Sequence, residues 1–170
     1  FGSCSPIHPS FYHAAEESGG QLFFVPPADA YEIAGVIDFT SGGSAVDVLS
    51  IAGDLAPGAT SFDVPIDSTM TRATFSVSGA EDVLVTRPDG SAVVPGDLGV
   101  SAIELSSVRI YTIDSPDPGT WSVTIGAGAG RFSLSVLGDS PFAVTALDFV
   151  ETRGRPQHEG DFPLPGEPSP

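Results

Sequence analysis

Between positions 45 and 151, short stretches of alternating apolar and polar residues recur at regular intervals. Alternation with a period of two puts every second side chain on one face of a β-strand, so each stretch can bury a single face. Turn residues separate the stretches, as in Arg87-Pro88-Asp89-Gly90, whose Pro-Asp-Gly sequence is typical of a type I turn. Many short strands at this spacing, with no long helix between them, predict an antiparallel β-sandwich.

Each predicted strand has one apolar face and ends at turn residues. The predicted strands are Val46–Ile51, Thr60–Ile66, Ala73–Val77, Val83–Thr86, Val108–Ile113, Gly119–Ile125, Arg131–Val136 and Phe142–Val150. Trp121 shares a face with Val123 and Ile125, which predicts a core position for it rather than a sugar-stacking surface. The apolar residues around Tyr111 do not determine whether its side chain lies on the core face or the solvent face of its strand.

The first 44 residues have the mixed pattern of an α/β segment. A helix is predicted over Pro9–Ser18, a strand over Gln21–Val25, a second helix from Ala30 to about Asp38 with Asp29 as its N-cap, and a linker over Ser41–Ser44. This segment lacks most of the sheet that it would need to pack on. We therefore expect it to pair with an upstream piece, with a partner chain or with the sandwich itself.

Residues 152–170 contain five prolines and show no apolar periodicity. Such a composition predicts an extended linker or an edge strand. The sequence thus divides into an α/β segment (1–44), a β-sandwich (45–151) and a proline-rich tail (152–170).

Charge excludes several kinds of partner. The chain has six basic and 22 acidic residues, a formal net charge of −16. Nucleic acid binding needs a dense Lys/Arg surface, and anionic membranes are bound through polybasic patches, so neither partner is expected. No apolar run approaches the length of a membrane-spanning helix, so membrane insertion is not expected either.

No arrangement of residues points to catalysis. The chain has no Gly-x-Ser-x-Gly sequence for a nucleophilic serine. His8 and His13 are five residues apart and do not share a helix face, unlike zinc-binding histidine pairs spaced four apart, and His158 lies in the tail. The single cysteine, Cys4, is either a buried thiol or the partner of a cysteine upstream. We expect no enzyme activity and assign no catalytic, cofactor-binding or metal residue.

Two pairs of aspartates are the candidates for a bound calcium ion. Asp63 and Asp67 lie on either side of Pro65, and Asp114 and Asp117 on either side of Pro116. Calcium prefers clustered carboxylate and carbonyl oxygens in loops. The alternative is that these residues are solvated and cap their own turns.

A set of motifs follows the order found in one group of extracellular proteins. Ser18-Gly19-Gly20-Gln21 lies between a predicted helix and strand, and it is followed by Phe62–Met70 (FDVPIDSTM), Phe75–Gly79 (FSVSG), Thr86–Gly90 (TRPDG) and Pro116–Trp121 (PDPGTW). Over residues 1–150 this order resembles the C-terminal end of a von Willebrand factor A domain followed by the galactose-binding-like domain of hemicentin-like proteins. The Asp-x-Ser-x-Ser motif of the A domain's metal site does not occur, so metal-dependent adhesion is not implied.

The resemblance implies a galactose-binding-like, jelly-roll type sandwich in an extracellular protein, secreted or at the cell surface. Our leading hypothesis is a non-catalytic structural or adhesion module of a larger multidomain protein. Its partners would be other domains, neighbouring subunits or the extracellular matrix, and exposed strand edges would permit self-association into a fibre. The alternative is a carbohydrate-binding module, which requires an exposed aromatic side chain beside a polar groove.

Overall fold

The computed structural model describes residues 9–18, 20–40, 45–141, 150–151 and 160–161. Helix α1 (Pro9–Ser18) comes first, and a 3-10 helix (Pro27–Glu32) leads directly into helix α2 (Ile33–Thr40). The strands are β1 (Ala45–Asp54), β2 (Thr60–Ile66), β3 (Arg72–Ser78), β4 (Val83–Thr86), β5 (Val100–Glu104), β6 (Val108–Asp114), β7 (Gly119–Ile125), β8 (Arg131–Asp139), β9 (Val150–Glu151) and β10 (Gly160–Asp161).

The first eight strands form two antiparallel sheets that pack face to face. The larger sheet has five strands in the order β1-β8-β3-β6-β5, and the smaller sheet has three in the order β2-β7-β4. The two-residue strands β9 and β10 pair with each other. This arrangement confirms the predicted mainly β fold and its antiparallel sandwich.

The core lies between the inner faces of the two sheets. Phe75 of β3 and Trp121 of β7 are fully buried there, with ring centroids 5.4 Å apart. The indole Nε1 of Trp121 donates a hydrogen bond to the carbonyl of Asp117 at 2.9 Å, so its polar atom is satisfied although the ring is buried. The core position predicted for Trp121 is confirmed, and Tyr111 is also buried in this core.

The five-stranded sheet is covered on its second face as well. On that face β3 and β8 carry small hydroxyl side chains, and all of them are buried: Thr74, Ser76, Ser78, Ser133 and Ser135. An antiparallel sheet commonly leaves one face in water, so burial of both faces requires a further layer. Residues 20–37, called the N-terminal segment below, contribute to this layer.

The predictions for the N-terminal residues were partly right. Helix α1 has its predicted bounds. The predicted strand Gln21–Val25 is wrong, because these residues join no β-ladder. The predicted second helix begins earlier, as a 3-10 helix, and continues as α2. Asp29 is not an N-cap, since Pro26 occupies that position without a side-chain hydrogen bond.

Most of the sandwich strands lie where the alternation predicts them, and β2, β4 and β7 have the predicted bounds. Strand β5 was not predicted. The predicted linker Ser41–Ser44 lies outside the described residues, as do most of the predicted strand Phe142–Val150 and most of the tail over 152–170.

Candidate interaction surface

The N-terminal segment is bound to the outer face of the five-stranded sheet by hydrogen bonds. Gln21 Nε2 donates to the carbonyl of Ser76 at 2.9 Å, and the N–H of Phe24 donates to Ser78 Oγ at 2.6 Å. Ser107 Oγ in turn donates to the carbonyl of Phe24 at 2.5 Å. The backbone groups of Phe24 thus bond to the side chains of Ser78 and Ser107 and not to the backbone of a neighbouring strand, so Gln21–Val25 joins no β-ladder.

Asp29 ties the 3-10 helix to the turn between β5 and β6. Its Oδ2 accepts hydrogen bonds from the backbone N–H of Ser106 at 3.1 Å and from the Ser106 hydroxyl. The hydroxyl hydrogen bond, with a further contribution from the backbone one, lowers the pKa of Asp29 below its usual range. The carboxylate predicted to cap a helix therefore fixes that helix to the sandwich.

Apolar packing holds α2 over β6. Val36 is buried together with Val108 and Ile110, and these three form a second core separate from the one between the sheets. Phe23, Val25, Ile103 and Leu105 pack around it. Burying side chains of this size contributes about 1.5–3 kcal/mol each, so this small core is a substantial attachment for so short a helix.

A second side of α2 and the 3-10 helix before it carry exposed apolar side chains. Tyr31 is 77% exposed, Ile33 47% and Ile37 58%. Ile33 and Ile37 are four residues apart in α2 and therefore lie on one face of the helix. We call Tyr31, Ile33 and Ile37 the α2 surface. The helix thus has a buried apolar side against the sheet and a second apolar side in solvent.

Helix α1 is attached at a different point. The guanidinium of Arg131, at the start of β8, lies over the ring of Tyr12 at 4.5 Å from its centroid. The ring of Tyr12 also stacks on Phe24, with centroids 6.2 Å apart and an interplanar angle of 25°. A cation–π contact of this kind contributes about 0.5–1 kcal/mol at an exposed site.

A cleft of about 340 Å³ opens beside the start of β4. Its lining residues are Glu81, Asp82, Val83, Leu84, Arg109, Thr124 and Gly126. On the five-stranded sheet, Tyr111 donates its hydroxyl hydrogen to Glu104 Oε1 at 2.7 Å. Burial, with a further contribution from Glu104, raises the pKa of Tyr111 to about 12. The cleft lining contains no aromatic side chain that would stack on a sugar ring.

The aromatic residues of the sandwich do not provide such a stacking surface elsewhere. Across residues 45–141, Phe62 is half-buried, and the remaining aromatic side chains are buried: Phe75, Tyr111, Trp121 and Phe132. The exposed aromatic side chains Phe11 and Tyr31 belong to the N-terminal residues. The sandwich surface that the structure describes therefore lacks the feature that the carbohydrate-binding alternative requires.

One aspartate of each pair considered for calcium has another partner. Asp67 Oδ1 accepts hydrogen bonds from the N–H and the hydroxyl of Thr69, and these bonds lower the pKa of Asp67. Asp114 forms an ion pair with Arg72 Nε at 2.9 Å. Asp67 thus caps its own turn, as the alternative interpretation predicted. Among the described residues, no three His, Cys, Asp or Glu side chains form a group that could hold a metal ion.

Other residues singled out in the sequence belong to parts of the chain that the structure does not describe. Cys4, His8 and His158 lie there.

The sequence pattern predicts an apolar face on the second helix that includes Tyr31, Ala34, Val36 and Ile37, but it does not show which of them are in solvent. The structure buries Val36 and exposes Tyr31 and Ile37. The apolar run Ile33–Ile37 was a signal for the α2 surface, because a helix that is apolar on all sides is normally buried on all sides.

Comparison with known proteins gives a family for the sandwich. No curated protein matches the chain. In the part that the structure describes, no helix is long and apolar enough to cross a membrane. The family model described as hemicentin galactose-binding domain-like matches residues 47–141, a range that leaves the predicted von Willebrand A part untested. This match covers more than half of the chain, and the chain therefore belongs to the hemicentin galactose-binding domain-like family.

Proposed function

We propose that this chain is a non-catalytic extracellular module that makes structural or adhesive contacts with other protein surfaces. The family supports this proposal, because its galactose-binding-like domains are non-catalytic modules typical of extracellular proteins. The observation that carries it is the α2 surface, in which the exposed side chains of Ile33 and Ile37 share one helix face and the exposed Tyr31 precedes them in the 3-10 helix. Single exposed apolar residues are normal on a protein surface, but a cluster of them marks an interaction site.

The contacts that attach the α2 surface to the sandwich suit it for binding. Val36 of the same helix is packed on the sheet, and Asp29 of the preceding 3-10 helix is hydrogen-bonded to Ser106 on the sandwich. A surface that is already held in place loses little conformational entropy when a partner binds. Aromatic side chains such as Tyr31 are enriched in the centres of protein interfaces.

The negative charge of the chain restricts the kind of protein surface that it can bind. The chain has a formal net charge of −16, so a partner with a neutral or basic rim around an apolar centre would be favoured. Such a partner would be a neighbouring domain, an adjacent subunit or a matrix protein.

The proposal is tested by binding to purified extracellular proteins. The chain and the variant Tyr31→Ser/Ile33→Ser/Ile37→Ser are compared by biolayer interferometry against fibronectin, laminin and collagen, and by sedimentation velocity for self-association. We expect a binding signal, or self-association, that this variant loses.

A matched control carries the same kind of change at exposed apolar positions elsewhere. Leu84, Val94 and Leu98 are each exposed on the sandwich, and the variant Leu84→Ser/Val94→Ser/Leu98→Ser should keep the binding. The proposal is contradicted if the chain binds none of these proteins and stays monomeric, or if both variants lose binding equally.

A further inference from the structure

The outer edge of β1 is a second surface suited to binding, of a different kind. Strand β1 has ten residues, lies at the edge of the five-stranded sheet and pairs with β8 alone among the described strands. An edge strand directs the N–H and C=O groups of alternate residues away from its neighbour, where another strand can bond to them. We propose that this edge binds an extended segment with basic residues from another protein, which adds to the sheet as a sixth strand.

The register identifies which main-chain groups point outward. The N–H of Leu55 donates to the carbonyl of Gly130 at 2.8 Å, and these residues form the next pair after the β1–β8 register. Because hydrogen-bonded and non-hydrogen-bonded pairs alternate along an antiparallel ladder, every second residue back from Leu55 bonds to β8. The residues between them, Ser50, Ala52 and Asp54, therefore present their N–H and C=O groups to the open edge.

The other edges are shorter or obstructed. Strand β2 contains Pro65, which has no N–H to donate. Strand β4 has four residues, and the N–H of Val93 bonds to its Val85 carbonyl at 2.8 Å. Strand β5 has five residues. Among the edge strands that the structure describes, a long run with every outward N–H and C=O group available is thus specific to β1.

Charge favours a basic partner over a second copy of this chain. The exposed residues Asp47 and Asp54 are the charged residues of β1, and they flank an uncharged run of six residues. Like charges facing each other across a strand pair are destabilising, whereas opposite charges stabilise it. A second copy would bring the same aspartates and another net charge of −16, but basic side chains in an incoming strand would pair with both.

A bulge strengthens this selectivity. The β1–β8 register shifts between Asp47 and Leu49, so the regular ladder spans the six residues from Leu49 to Asp54. Bulges and edge charges are devices that prevent indiscriminate strand pairing. On β1 they leave a short regular edge that accepts one strand of complementary charge.

The test uses the 170-residue chain and a labelled peptide, acetyl-Arg-Thr-Val-Thr-Val-Thr-Arg-amide, whose two arginines lie on one face of an extended strand. Two control peptides replace arginine with glutamate or carry N-methyl groups at alternate backbone nitrogens, which blocks strand pairing. Fluorescence anisotropy measures binding, and amide hydrogen exchange locates it. We expect the arginine peptide alone to bind and to slow exchange at Ser50, Ala52 and Asp54.

Two variants of the chain locate the site independently. Ala52→Pro removes an outward N–H while leaving the β1–β8 hydrogen bonds in place, a position where edge strands accept proline. It should weaken peptide binding about tenfold, since one hydrogen bond is lost and its partner is left unsatisfied, whereas Ala52→Ser should bind normally. If Ala52→Pro fails to fold, Asp47→Asn/Asp54→Asn replaces it and should also weaken binding.

Several results would overturn the proposal. They are equal binding of the glutamate or N-methylated peptide, unchanged binding by the folded variants, or outward amides that are already protected in the chain alone. A dimer in sedimentation velocity with β1 protected at its interface would assign the edge to a second copy instead. Because this edge does not include the α2 surface, either proposal can fail without the other.

Discussion

Replacing Val36 with alanine tests whether the N-terminal segment folds together with the sandwich. Val36 is 1% exposed and packs against Val108 and Ile110. The change deletes two buried methyl groups, which costs about 2 kcal/mol including the cavity that remains. Alanine has the better helix propensity, which offsets about 0.5 kcal/mol. We expect the free energy of unfolding to fall by about 1.5 kcal/mol.

Urea unfolding followed by fluorescence provides the assay. Trp121 is the single tryptophan of the chain and lies in the core between the sheets, so its emission reports on the sandwich and not on α2. If the segment and the sandwich unfold as one unit, the Trp121 transition of Val36→Ala shifts to lower urea.

The neighbouring variant Ile37→Ala serves as the control. It makes a comparable change in the same helix, but the Ile37 side chain is 58% exposed, so its transition should move by less than about 0.5 kcal/mol. A Trp121 transition that is identical in Val36→Ala and the unmodified chain would refute the reasoning, because it would mean that the sandwich does not depend on the segment.

Two further substitutions test local features of the sandwich. Gly79 has φ +89°, and a Cβ there would lie 2.1 Å from the Arg131 carbonyl oxygen, so Gly79→Ala should destabilise the chain by more than about 2 kcal/mol in urea unfolding. Gly90→Ala, with φ +85° and open space around it, should cost about 1 kcal/mol, and equal losses would contradict the steric argument. The Arg87 guanidinium donates a hydrogen bond to Asp97 Oδ2 at 2.8 Å, and this bond lowers the pKa of Asp97 in the folded chain. The ionised carboxylate therefore stabilises the fold above the unfolded pKa near 3.8, and this stabilisation is lost as the pH falls through the lower folded pKa. Asp97→Asn should therefore lower the urea midpoint at pH 7, and the difference from the unmodified chain should shrink as the pH falls below 3.8; a difference that does not shrink with falling pH would count against this ion pair as its cause.

The sandwich could be predicted because its signals are local. Alternation places Trp121, Val123 and Ile125 on one face of β7, and the structure buries all three. Turn sequences such as Pro88-Asp89-Gly90 mark strand ends through their own backbone preferences. Strand β5 (Val100–Glu104) was not predicted from the sequence, because its residues are mostly half-buried and its apolar–polar alternation is weak.

The surroundings of the N-terminal segment could not be predicted, because they depend on contacts between residues far apart in sequence. The run Gln21–Val25 has the composition of a strand, but Phe24 bonds to Ser78 and Ser107, more than 50 residues away. Asp29 has the properties of an N-cap, and only the fold brings Ser106 to its carboxylate. The α2 surface follows from these contacts, since they decide which side of the helix faces the sheet.

The central claim is that the N-terminal segment covers the outer face of the five-stranded sheet and thereby holds the α2 surface in place. Methyl–methyl nuclear Overhauser effects in the 170-residue chain test it most directly. We expect contacts from the methyl groups of Val36 to those of Val108 and Ile110, with which it is buried, and none from Val36 to core residues between the sheets such as Val123. Absence of the contacts to Val108 and Ile110 in a spectrum where the sandwich core gives its own cross-peaks would contradict the account.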